Sequence, residues 1–175
     1  MPWPRQGFFW KVLLGFAVIV VALAIVISNV LRGFGPNIAT LSPLRTIKTA
    51  EFTYAATYPH IGYAPNLAIL GGMKDCGPKH ACLLDNVLAC PEGVGTAWCV
   101  KGMYRYNVQS SSRKAPYRDF WVTAAPITVE PNLRDYCAGP DSVIRSEPAK
   151  ARTAPYTLAE CLTLSAVPSN HYRRN

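Results

Sequence analysis

Sulfur is the first chemistry this sequence offers. Cysteines stand at Cys76, Cys82, Cys90, Cys99, Cys137 and Cys161. Such residues can bridge, bind a soft metal, or attack as thiolates. Structural zinc sites usually bring at least one close ligand pair. Here the gaps through Cys99 are five, seven and eight residues, and His80 is the one histidine nearby. An even count, placed wholly after a long apolar run, points instead to disulfides formed in an oxidising compartment. The cheapest closures are Cys76–Cys82, Cys90–Cys99 and Cys137–Cys161, although six cysteines permit many other pairings. A bridge closing the last of these loops is expected to contribute roughly 3 kcal/mol by restricting the unfolded chain.

Other reactive residue types are present without a pattern. His60, His80 and His171 are scattered, with no H-E-x-x-H, G-x-S-x-G or P-loop around them. Asp75, Asp85 and Glu92 are candidates for paired-acid chemistry, but their spacing puts no two carboxylates on one helical face. They read as solvated loop charges. Cys82 and His80 are the residue types of a nucleophile and its base, yet two residues apart they read more simply as half a bridge and a loop histidine. Tyr104, Tyr106, Tyr117 and Trp121 fit a binding face or the buried side of a sheet equally well. No catalytic, cofactor-binding or metal-binding residue is assigned, and the expectation is a protein that is not an enzyme. The formal charge is +8, but the basic residues are dispersed singly except at Arg113-Lys114 and Arg173-Arg174. Nucleic-acid binding needs clustered cations to displace counterions, so no nucleic-acid partner is expected.

The elements that must position these residues begin with an apolar run. Val12 to Leu31 gives twenty positions, about 30 Å as a helix and comparable to the hydrocarbon core of a bilayer. Trp3 and Trp10 lie where headgroups would meet it. Ala22-Leu23-Ala24 resembles a signal-peptidase site, but Ile25-Val26-Ile27 continues the apolar run past it, which predicts an uncleaved anchor. With oxidised cysteines the expected topology is a single pass of the inner membrane, N-terminus cytoplasmic and C-terminal domain extracytoplasmic, with the lipid bilayer as partner. Gly33-Phe34-Gly35-Pro36 reads as a hinge. Ser42-Pro43 reads as a helix restart, with serine at the N-cap and proline at the first helical position. Leu44, Ile47, Glu51, Tyr54, Ala55 and Tyr58 then recur at helical spacing, and Pro59 ends the pattern.

Beyond Gly102 the period changes to two. MYRYNVQ and YRDFWVTAAPITV read as strands, and LRDYC with SVIRS as a hairpin. The expected fold class is α+β: an N-terminal transmembrane helix, a hinge and a second amphipathic helix packed on a small antiparallel β-sheet, with a disulfide-bonded connector and tail. Four segments follow: 1–32, head and membrane helix; 33–58, hinge and amphipathic helix; 59–146, connector and sheet; 147–175, irregular tail.

That order, with the phrases LRTIKTAEFTYAATYP (44–59), GYAPNLAILG (62–71), CLLDNVLA (82–89), GMYRYNV (102–108), VTAAP (122–126) and GPDSVIR (139–145), resembles the type IV pilin and pseudopilin family. The likeness is discontinuous over 44–145. It implies a structural component of a type IV pilus or type II secretion machine, with other pilin-like subunits as partners. It also implies peptidase cleavage between Gly7 and Phe8. The family's glutamate, four residues after that phenylalanine, is Val12 here, preceded by Lys11, and the proline that kinks the apolar helix is missing. A buried glutamate needs a compensating partner, and Val12 cannot take that role. The expectation is therefore an anchored, minor component rather than a major filament subunit, with an anchored ligand-binding module or an extracytoplasmic thiol enzyme as alternatives.

Overall fold

The structure, a computed structural model, describes residues 6–90 and 98–168; within the first helix, the side chains of 6–13 and 28–39 lie outside the described residues. Helix α1 runs Gln6–Thr57. The chain divides into two compact units, Met1–Ile38 and Ala39–Asn175.

In the second unit, α1 is held by a buried stripe of Leu41, Leu44, Ile47, Ala50, Glu51 and Tyr54, three and four residues apart as one helical face requires. After Thr57 the chain turns at Pro59, with the Gly62 amide bonded to the Tyr58 carbonyl at 3.0 Å. Two one-turn helices follow. In α2 (Leu67–Leu70) the Asn66 side chain caps the Ile69 amide, and in α3 (Asn86–Ala89) Asp85 caps Leu88. Both carboxamide and carboxylate satisfy amides that a helix start leaves unpaired.

The rest is one antiparallel sheet of six strands in sequential order: β1 (Cys99–Lys101), β2 (Tyr104–Gln109), β3 (Trp121–Pro126), β4 (Arg134–Ala138), β5 (Ile144–Pro148) and β6 (Ser165–Ala166). Alternation along β2 turns Tyr104, Tyr106 and Val108 inward. Register places Tyr106 beside Ala124 and Ala124 beside Tyr136, so small Ala124 lies between two large rings, a size alternation that close packing favours. This face packs with the α1 stripe in one core. The opposite face carries Arg105, Thr123, Asp135, Cys137 and Glu147. It is covered by the segment after β5, where α4 (Leu158–Thr163) opens with a Thr157–Glu160 capping box. Strand β3 is buried along its whole length because both faces are covered.

Several expectations are corrected. The backbone of α1 is helical through the predicted hinge and restart, so there is one helix, not two; the side chains of Gly33 to Pro36 lie outside the described residues. Ser42 is not an N-cap, and its carbonyl accepts the Thr46 hydroxyl at 3.1 Å within the helix. Pro43 forgoes one backbone bond, and the buried side chains on either side of it, Leu41, Leu44 and Ile47, outweigh that loss. The sheet is larger than expected, with six strands, and the segment read as an irregular tail contributes α4 and β6.

The membrane assignment is also overturned. Among the described residues no helix is long and apolar enough to cross a membrane. That corrects both the transmembrane helix of the expected fold class and the single-pass inner-membrane localisation.

Candidate functional site

Two features stand out from the packed core, one in each unit. In the first unit, Leu14, Phe16, Val18, Ile19, Val20, Val21, Leu23, Ile25, Val26 and Ile27 are 48–67% exposed. Consecutive positions 18–21 point in different directions around a helix, so this segment is apolar on all sides. A helix of that kind is normally covered by other apolar surface. The segment Leu14–Ile27 carries no titratable or nucleophilic group.

In the second unit, the ionic face of the sheet is built from three separate stretches of chain. Register sets Asp135 on β4 against Glu147 on β5. Arg152, from the covering segment, reaches both: its Nε donates to Asp135 Oδ2 at 3.1 Å and its Nη2 to Glu147 Oε1 at 3.0 Å. The guanidinium also stacks 3.5 Å from the Tyr156 ring centre. The Tyr156 hydroxyl donates to Glu147 Oε1 at 2.5 Å. Arg105 on β2 donates to the Arg152 carbonyl and lies over the Trp98 ring. Burial pushes the Asp135 carboxyl up despite Arg152; burial also opposes ionisation of Glu147, but bonds from Lys150, Tyr156 and Arg152 together outweigh it and draw that carboxyl down. Such an arrangement locks the covering segment to the sheet through charge-assisted bonds, although Asp135 Oδ1 and Arg105 Nε are buried without a hydrogen-bond partner. The Cys137–Cys161 bridge fastens the same segment, beside Trp121 and Tyr156.

Glu51 is the buried ionisable residue of the described α1 face. It is fully buried, its Oε2 accepts the Ala64 amide at 2.8 Å, and its Oε1 has no hydrogen-bond partner. Desolvation raises its pKa to about 8, the Ala64 amide opposing the shift.

All six cysteines are paired, Cys76–Cys82, Cys90–Cys99 and Cys137–Cys161, with Cα separations of 5.5, 5.6 and 5.7 Å. These lie within the range disulfide geometry allows. Gly7 and Phe8 fall in the helical backbone of α1, and their side chains lie outside the described residues. Asp75 is exposed in a loop. Asp85 is the α3 cap and pairs with Lys101 at 2.6 Å. Glu92 and His171 lie outside the described residues. His60 and His80 are exposed, and among the described residues no two of these are brought together as an acid pair or a nucleophile–base pair. Tyr104, Tyr106 and Trp121 are buried and Tyr117 is half-buried, so these aromatics form no exposed binding face. Among the described residues no cluster of three or more histidines, cysteines or carboxylates could hold a metal ion.

No family model, curated protein or solved structure matches this chain. The functional reading therefore rests on its own residues. Sequence reasoning missed the Asp135–Glu147–Arg152–Tyr156 lock. The one available signal was the charged residues inside strands that otherwise alternate apolar with polar.

Proposed function

We propose that this chain is a structural assembly subunit, a minor component of the kind the pilin-like phrases imply, and that α1 is its assembly element. The observation that carries the reading is the all-round apolar, exposed segment Leu14–Ile27. Apolar surface of this extent gains roughly 25 cal/mol for each Å² removed from water. A like helix from a neighbouring subunit supplies matching surface without introducing a polar mismatch. The second unit supports the same role. Its three disulfides and ionic lock make a rigid body fit to be carried in an assembly.

The test is a photo-crosslinking amino acid placed at Val18 or Ile25 of the full chain in its native cells. Crosslinked ladders of this chain with itself or with helix-bearing subunits are expected. A species that stays uncrosslinked at both positions would sink the proposal.

A further inference from the structure

The three disulfides differ in accessibility. Cys137 and Cys161 expose no surface, and Cys99 is buried with Cys90 half-buried beside it. By contrast Cys76 is exposed and Cys82 half-buried, in a loop where Lys74, Asp75, Lys79 and His80 are all exposed. That loop is closed by polar contacts rather than packing. Gly77 and His80 exchange backbone hydrogen bonds at 2.9 and 3.0 Å, and the Tyr54 hydroxyl of α1 donates to the Pro78 carbonyl at 2.7 Å. Cys82 adopts φ +56° and Cys90 φ +36°, left-handed backbones that a Cβ disfavours, so exposure is what sets Cys76–Cys82 apart from the other strained bridge. Exposed and conformationally strained bridges are the exchangeable ones.

We propose that Cys76–Cys82 is a thiol–disulfide exchange site, taking a dithiol reductant as its partner, and that its reduction unlatches the Pro78 loop from Tyr54. The incoming thiolate attacks Cys76 Sγ, the more exposed sulfur. The S–S bond breaks and its electron pair leaves on Cys82 Sγ, which takes a proton. The dithiol's second thiolate then attacks its own sulfur in the mixed disulfide and releases Cys76 as a thiolate, which is protonated in turn. Two electrons and two protons pass from the dithiol, which becomes a disulfide. Lys74 and Lys79 outweigh Asp75, and a net positive loop favours both the approach of one thiolate and the departure of another. This inference is independent of the assembly role.

The experiment incubates the folded full-length chain with graded dithiothreitol, quenches with iodoacetamide and maps alkylated peptides. Cys76 and Cys82 are expected to be half-alkylated at a concentration at least about ten-fold lower than the other four, a separation of about 30 mV for a two-electron couple. Alkylation of all six together, or of Cys90, Cys99, Cys137 or Cys161 first, overturns the proposal. In the selectively reduced protein the Gly77 and His80 amides should exchange hydrogen faster. Unchanged exchange there overturns the unlatching, and C76S/C82S, which lacks the bridge permanently, should show the same fast exchange.

Discussion

Replacing Glu51 by glutamine should flatten the dependence of stability on pH across the neutral range. The Glu51 carboxyl is raised from 4.5 to about 8 by burial. Between those values the folded protein holds a proton that the unfolded chain has lost. Stability due to this group is therefore fully present below pH 4.5 and falls as pH rises towards 8, where the loss levels off. Each pH unit in that window removes about 1.4 kcal/mol, so the loss reaches about 3 kcal/mol by pH 7 and approaches 5 kcal/mol above pH 8.

Glutamine keeps an oxygen for the Ala64 amide, which Glu51 Oε2 now meets at 2.8 Å, and it cannot ionise. Like the protonated acid, it carries a donor towards the site where Oε1 has no partner. E51Q should consequently lie within about 1 kcal/mol of the native protein at pH 5 and exceed it by about 3 kcal/mol at pH 7. Urea unfolding followed by near-ultraviolet circular dichroism, at half-unit steps from pH 5 to 8, measures both curves. The comparison cancels groups common to both proteins, including Asp135, whose raised carboxyl gives a slope of the same sign. Equal slopes in the two proteins, or an E51Q that is less stable at every pH, would refute the reasoning. E51A separates charge from hydrogen bonding, since it leaves the Ala64 amide unsatisfied at a cost of about 1–3 kcal/mol.

Gly62 sits at φ +81°, and a Cβ there would overlap the Tyr117 carbonyl in the Gly62–Tyr117 bridge. G62A should lower stability by more than about 1 kcal/mol in thermal unfolding, because positive φ and a backbone clash act together. Arg152 answers the fully buried side chain of Asp135, so R152L should cost about 3–5 kcal/mol by stranding that charge. The double variant R152L/D135N should recover a large part of the loss in chemical denaturation; additive losses would show that the ion pair is not what holds the segment.

Much of the sheet was legible because its signal is local. YRYNVQ alternates Tyr104, Tyr106 and Val108 with Arg105, Asn107 and Gln109, and the structure buries the first set. The stripe through Leu44, Ile47, Glu51 and Tyr54 was equally visible, since helical spacing alone defines it. What the chain could not disclose were meetings between distant segments. Glu51 falls on the stripe, but its partner is a backbone amide at Ala64, which leaves no trace in side-chain pattern. Arg152 gave no hint that it would reach β4 and β5 together. The apolar run was misassigned for a related reason. Hydropathy reports that Leu14–Ile27 avoids water, whereas lipid or a neighbouring helix would each account for the same residues.

The two faces of the sheet show how the fold is fastened. On one side, a largely apolar stripe holds α1, with Thr40 and Glu51 its buried polar members. On the other, the covering segment offers little apolar area: Tyr156 and Cys161 are its fully buried residues. A segment with so little surface to bury must be tied by other forces, and the buried Cys137–Cys161 bridge and the Arg152 ion pairs lie there. The exposed Cys76–Cys82 bridge holds less weight, because its loop is also tied by the Tyr54 hydroxyl, the Gly77–His80 backbone pair and the Ala81 and Cys82 amides, which reach the Ile69 and Gly71 carbonyls. Burial thus separates a bridge that maintains the fold from one that can open while the sheet remains intact.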